Sequence, residues 1–227
     1  MSARETISVD VVSDVVCPWC FIGQKRLDAA LAEVGDVDVE VRWRPFQLDP
    51  TVPPEGKDRL RYMLDKFGSE ERIRQIHANV EAIGDGVGID FAFDAIKVAP
   101  NTLDAHRVIR WAGNAGAGVQ NRLARRLFQL YFEQGANIGD HAVLIEAARD
   151  SGMDAAVVET LLPTDADVQA VTAEIATAQR MGVSGVPCFL IEGKYAVMGA
   201  QESSVIADAI RQVAAAKARG ELEKAGA

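Results

Sequence analysis

Cysteine and histidine are scarce in this chain, three of each in 227 residues. Three cysteines are too few for the disulfide scaffold of a small secreted domain. Structural zinc takes four ligands, usually from two cysteine pairs, and there is no second pair and no histidine at ligand spacing. Positive charge is also in short supply. Twenty-four Lys and Arg stand against 33 Asp and Glu, for a formal net charge of −9. That balance excludes a chain built to hold nucleic acid or an anionic membrane surface. No apolar run approaches the ~20 residues of a membrane span. There is no Gly-rich phosphate loop, Walker motif or dinucleotide fingerprint, and no internal repeat or low-complexity tract. Met1 to Thr6 pass straight towards a strand with no apolar signal region, so a cytoplasmic location is expected. The rest is ordinary for a globular protein: 48% hydrophobic and 25% charged, with enough length to bury a substantial core.

Two of the three cysteines stand together as Cys17-Pro18-Trp19-Cys20. Ile7, Val9, Val11 and Val12 before them read as a short apolar strand. Phe21, Ile22, Leu27, Ala30, Leu31 and Val34 after them recur at helical spacing, and Gly35 stops the helix. The pair therefore sits where a strand turns into a helix. There, unpaired N–H groups and the helix dipole favour a thiolate. Thiols in such places titrate at about 3.5–7.5. Cys17, expected to be exposed at the first turn, is the candidate attacking thiolate. Cys20, one turn further in and more buried, is the candidate resolving thiol. Pro18 suits the first turn, where no N–H is needed.

A second block lies far along the chain. In Met181 to Ile191, Gly182 can cap a helix, Gly185 gives a turn before Val186-Pro187, and Cys188 to Ile191 read as a strand. Gly193-Lys194 is a hairpin turn into Tyr195 to Met198, and a last helix follows from Glu202 to Ala216. Cys188, directly after the proline, reads as a small buried apolar residue. Between the blocks, Val37, Val39, Val41 and Trp43 alternate with polar residues as a second strand, and Asp49 to Gly56 is a turn-rich linker. Helical patterns then occupy Lys57–Phe67, Ser69–Ile83, Leu103–Ala115, Val119–Gln134, Asp140–Ser151, Met153–Leu162 and Asp165–Met181, with one extended piece near Ile89 to Phe93. Most of the aromatic residues, Tyr62 and Phe67 among them, read as core, and some of the set could line an apolar groove for unfolded substrates, while His77 and His141 have no evident partner and read as surface residues.

Strand, CxxC, helix, strand, and later Val-Pro, hairpin and helix, is the order of a thioredoxin fold. The expected class is α/β: a thioredoxin fold with a large all-helical insertion between its βαβ and ββα halves. Residues 1–50 and 182–216 would form the thioredoxin-like domain, 57–181 the helical insertion, and 217–227 a frayed polar tail.

Several segments together carry a family resemblance. They are Asp14-x-x-Cys17-Pro18-Trp19-Cys20-Phe21-x-Gly23, Arg44 to Leu48, Asn101-Thr102 with Ala105-His106-Arg107, Gly182-Val183-x-Gly185-Val186-Pro187, and Gly199-Ala200-Gln201. Together they resemble the DsbA-like thioredoxin family, and within it the cytoplasmic FrnE-type branch. That branch is similar in architecture to 2-hydroxychromene-2-carboxylate isomerases and kappa-class glutathione transferases. The resemblance covers nearly the whole chain. It implies a thiol–disulfide oxidoreductase acting on protein or small-molecule disulfides and thiols, with Cys17 and Cys20 catalytic. It implies that Val186-Pro187 is cis, packs against the CxxC and presents backbone to the substrate. It also implies that Pro18, Trp19, Asn101 and Thr102 border the substrate groove. The lack of a histidine between the cysteines implies a less oxidising pair than one with CPHC. No metal and no resident cofactor are implied, with glutathione as a candidate reductant or co-substrate. Neither nucleic acid nor membrane is an expected partner, and the protein would be a monomer or homodimer. The alternative reading is a glutathione-dependent isomerase or transferase, in which a serine typically replaces Cys17. A third is a binding module without thiol chemistry.

Overall fold

The computed structural model describes residues 6–222. Strand β1 (Thr6–Ser13) pairs in parallel with β2 (Asp38–Pro45), Val9 facing Val41, and antiparallel with β5 (Cys188–Ile191). Strand β6 (Tyr195–Met198) completes a four-stranded sheet of order β2-β1-β5-β6. Helix α1 (Pro18–Glu33) makes the crossover from β1 to β2, and α9 (Ser203–Ala218) packs beside it. A parallel pair requires such a crossover, whereas β5 and β6 need only a tight turn. That turn spans Glu192 to Lys194, with Glu192 and Gly193 left-handed at φ of 52° and 65° and Lys194 N donating to Ile191 O at 3.1 Å. The expected thioredoxin halves are therefore in place.

Strand β5 is buried on both faces, and its alternation divides the core. Phe189 and Ile191 join the main core, while Cys188 packs with Val12, Phe46, Ala178 and Val183 on the other side. Between the halves lie α2 (Arg59–Phe67), α3 (Glu70–Asp85), α4 (Leu103–Ala112), α5 (Val119–Phe132), α6 (His141–Asp150), α7 (Ala155–Leu161) and α8 (Val168–Arg180). Phe21 of α1 joins them to the sheet. Its ring stacks on Phe128 at 5.3 Å and meets Phe91 edge-on at 6.0 Å. Among the described residues, no helix is long and apolar enough to cross a membrane.

The structure corrects the sequence reading in four places. The intervening stretch is not wholly helical: Lys57–Asp58 (β3) pairs antiparallel with Val98–Ala99 (β4). Helix α2 consequently begins at Arg59 instead of Lys57, with Asp58 capping it by accepting from the Arg61 N–H at 2.9 Å. A two-residue ribbon formed across 39 intervening positions leaves no periodic trace in the sequence. The expected extended piece, 89–93, is irregular and ends in a 3-10 turn at Phe93–Ala95. The tail is ordered from Lys217 to Leu222. Lys217 Nζ donates to Thr6 O and Glu192 Oε2, both at 2.9 Å, and Lys194 Nζ donates to the carbonyl of the buried Leu222. Residues 223–227, the rest of the expected tail, lie outside the described residues. Finally, both partnerless histidines have neighbours. His141 Nε2 is 2.8 Å from Asp104, and the His77 ring stacks on Phe93 at 4.1 Å.

Candidate active site

Cys17 is the N-cap residue of α1, in extended conformation, with Pro18 as the first helical residue. Its N–H donates to Asp14 O at 3.0 Å, which closes the turn from β1 into the helix. Its carbonyl accepts from Cys20 N at 3.0 Å and from Phe21 N at 3.3 Å. No side chain caps this helix, so the positive end of the dipole is left to the Cys17 sulfur. Cys17, Cys20 and Cys188 are free thiols. Cys17 is only 4% exposed, against the expectation of an exposed thiol. The Val186 loop on one side and α2 and α3 on the other cover it, and contacts so distant in sequence are not visible from the CxxC itself.

The Cys20 thiol is pushed well above the ordinary thiol value. Burial is the main cause, followed by the hydrogen bond to Cys17 and by negative charge there; the Ser13 hydroxyl and the Asp14 backbone N–H act in the opposite direction. Cys188 is fully buried and raised by that burial, as suits a core residue.

The proline loop meets the pair directly. The Val186-Pro187 bond is cis, and the Cys17 Sγ donates to Val186 O at 3.8 Å. Pro187 O accepts from Gly199 N at 2.8 Å, so the quoted Gly199-Ala200-Gln201 segment anchors the loop. Gly23, one turn after Cys20, allows the contact. A Cβ there would lie 2.8 Å from Pro187 Cγ and 3.3 Å from Phe189 Cζ.

Beneath the pair lies Asp14, 1% exposed. Its Oδ2 accepts from Leu48 N at 2.8 Å, and its Oδ1 is 3.5 Å from Nε2 of the buried His106. That nitrogen also lies 2.9 Å from Phe46 O. The Arg44 to Leu48 segment and α4 are thereby fixed below the CxxC.

A cleft of about 370 Å³ opens over Cys17. Cys17, Pro18, Trp19, Gly185 and Val186 form one wall; Tyr62, Met63 and Phe67 of α2 with Ile76, His77 and Val80 of α3 form the other. Thr102 is on the lining, and so is Arg59. Asn101 is not. Its amide donates to Val52 O at 2.6 Å and accepts from Leu103 N at 2.9 Å and Gln47 Nε2 at 3.2 Å, so it organises the loop behind the wall. Pro187 likewise supports the site from the Gly23 side and is not part of the lining. Tyr62 stood among the aromatic residues that could line a groove, but the sequence reading missed Arg59 and Met63 as lining residues and placed His77 on the surface; none of the three carries a motif. The amphipathic pattern of α2 and α3 was their only trace. Burial and then Asp49 push Tyr62 up to about 12, and burial and then the Arg59 guanidinium hold His77 below the usual imidazole range.

With this geometry in hand, the sequence profile of the DSBA-like thioredoxin domain matches residues 8–211. The chain belongs to that family. It is 28% identical over 207 residues to the uncharacterized protein YwbO of Bacillus subtilis (strain 168), a span of 90% of this chain and 96% of the relative. It superposes on the crystal structure of the probable DsbA oxidoreductase SCO1869 from Streptomyces coelicolor with a TM-score of 0.81 and 29% identity, over 91% of this chain and 89% of that one. The cytosolic disulfide reductase DsbM from Pseudomonas aeruginosa, solved with GSH, shares the fold at a TM-score of 0.58 and 19% identity, over 93% and 99% of the two chains.

Proposed function

We propose that this DsbA-like protein is a thiol–disulfide oxidoreductase in which Cys17 attacks and Cys20 resolves. The observation that carries this reading is the placement of the Cys17 sulfur. It stands at the N-terminus of α1, lies 3.8 Å from Val186 O and has the Cys20 thiol as its neighbour. The Cys17 thiolate attacks one sulfur of a substrate disulfide, forms a mixed disulfide and releases the other half as a thiolate. Cys20 then loses its proton and attacks the Cys17 sulfur. The Cys17–Cys20 disulfide closes and the second half leaves as a thiolate. An external thiol or dithiol returns the pair to the reduced form, and the same steps in reverse oxidise a substrate dithiol.

The electrostatics order these steps. While Cys17 carries negative charge, that charge and burial keep Cys20 protonated. Once Cys17 is tied up in a mixed disulfide its charge is gone. The Ser13 hydroxyl and Asp14 N–H then favour the Cys20 thiolate when it is needed. Val186 offers backbone beside the reacting sulfur, suited to an extended substrate segment. Pro18 and Trp19 shape the near wall and Thr102 the far end.

In this reading there is no resident cofactor, and glutathione enters only as a reductant or co-substrate. The substrates are protein or small-molecule disulfides, handled in the cytosol, where unpaired CxxC thiols stay reduced. A glutathione-dependent isomerase or transferase could use the same cleft. The thiol of Cys20 beside Cys17 favours disulfide exchange, because the isomerase and transferase reactions have no step for a resolving thiol. The test is insulin reduction with a thiol donor. Cys17→Ser should abolish it, since a serine hydroxyl is not ionised at neutral pH. Full activity in that variant would overturn the assignment.

A further inference from the structure

We infer that the cleft selects small disulfides that carry carboxylates, and that Arg59 is the specificity residue that receives the carboxylate. The inference rests on the disulfide-exchange reading and narrows its substrate class. Six arginines among the described residues are half-buried, and five have an acidic partner: Arg26 with Glu202, Arg44 with Asp10, Arg110 with Glu174, Arg125 with Asp28 and Arg126 with Asp150. Arg59 is the sixth. It lines the cleft that contains Cys17, and its guanidinium has no hydrogen-bond acceptor and no ion pair among the described residues. Its nitrogens remain open to solvent, so the guanidinium is free to receive an anion.

The other groups of the cleft do not supply it. Asp14 is buried, with Oδ2 accepting from Leu48, and Asp49 accepts from the Thr51 N–H and hydroxyl. The second cation, Lys66, has only the Tyr62 hydroxyl at 3.5 Å and the faces of the Tyr62 and Phe67 rings. Beside Arg59, the buried Nε2 of His77 has no partner among the described residues. The cleft thus presents the cations Arg59 and Lys66 without a carboxylate partner among the described residues, beside the nucleophile Cys17. A guanidinium fork matches a carboxylate with two parallel hydrogen bonds. Size points the same way, since a thiol 4% exposed within a cleft of about 370 Å³ suits a molecule of peptide-fragment size. The net charge of −9 repels anions at long range, so selectivity for them has to arise inside the cleft. The reaction is the one given above: one disulfide accepts two electrons from the pair and leaves as two thiols.

The test measures single-turnover oxidation of the reduced protein by three disulfides: oxidised glutathione (anionic), hydroxyethyl disulfide (neutral) and cystamine (cationic). The quantity read is the rate-constant ratio of oxidised glutathione to cystamine. Arg59→Gln should lower it about tenfold or more, the scale of one charge-assisted hydrogen-bonded pair. Arg59→Lys should recover part of it, and in the unaltered protein esterifying the carboxylates of oxidised glutathione should slow its reaction by a similar factor. The ester keeps the test intact should Arg59→Gln misfold. An unchanged ratio in Arg59→Gln, or an ester that reacts as fast as oxidised glutathione with the unaltered protein, overturns the inference while leaving disulfide exchange standing. Failure of all three compounds to oxidise the Cys17–Cys20 pair overturns both.

Discussion

The Cys17 sulfur lies 3.8 Å from the carbonyl oxygen of Val186, 169 residues further along the chain. This contact joins the two halves of the thioredoxin fold at one reacting atom. The sheet makes it possible: β1, which delivers Cys17, is hydrogen-bonded to β5, which begins just after Pro187, with Val12 opposite Cys188. Neither half forms the site without the other.

Gly23 is the hinge of that joint, and its replacement should be harmful. Alanine inside a helix normally gains roughly 1 kcal/mol over glycine. Here its Cβ would fall 2.8 Å from Pro187 Cγ, inside contact distance. Overpacking costs about 1–3 kcal/mol, so Gly23→Ala should lower stability on balance and displace the Val186 carbonyl from Cys17. Urea denaturation together with insulin reduction would show a loss in both. A more stable, equally active variant would contradict this packing argument.

Arg107 should matter for stability alone. It is 1% exposed, and its guanidinium donates to Ala166 O at 2.7 Å, Leu162 O at 3.2 Å, Leu161 O at 3.1 Å and Thr164 O at 2.8 Å, and pairs with Asp104 at 2.7 Å. It closes the turn between α7 and α8, away from the cleft. Arg107→Met would strand the Leu162, Thr164 and Ala166 carbonyls, while Leu161 O keeps its bonds from Thr164 and Asp104 its contact with His141, and should cost on the order of 3 kcal/mol. The expected result is a lower urea midpoint with unchanged activity per folded molecule. A midpoint within error of the unaltered protein would refute it.

Alkaline pH should weaken the reduced protein through two thiols. The folded values of Cys20 and Cys188 lie above the ordinary 9.0. Above that value an unfolded chain releases protons that the folded chain still holds. The contribution of these groups is therefore complete below about pH 9 and declines as pH rises through the folded values. The urea midpoint should fall between about pH 8 and about pH 9.5, below the ordinary tyrosine value of 10.0. Cys188→Ala should start from a lower midpoint and fall less steeply. An identical slope in the variant would show that Cys188 is not held protonated by the fold.

The parts of the site legible in the sequence were those encoded locally. The alternation of β1, the helical spacing after Cys20 and the glycines around Val186-Pro187 each act within a few residues, and all lie where their patterns put them. Parts that depend on distant chain were not legible. Cys17 is covered because α2 and α3 fold over it, and nothing near residue 17 encodes those helices. Asn101 was expected on the groove from a sequence resemblance, but its amide is occupied by Val52, Leu103 and Gln47, which the local sequence does not reveal. Arg59 and His77 sit at unremarkable helix positions and acquire meaning only opposite Cys17. The order at Leu222 comes from Lys194, on the hairpin between β5 and β6.

The division of labour within the CxxC is tested most directly by trapping. The Cys20→Ser protein lacks the resolving thiol, so attack by Cys17 should stop at the mixed disulfide. Incubation with oxidised glutathione, followed by intact-protein mass measurement and peptide mapping, should find one glutathione on each molecule, attached at Cys17 and released by dithiothreitol. An adduct at Cys188, or no adduct at Cys17 in a folded protein, would contradict the account.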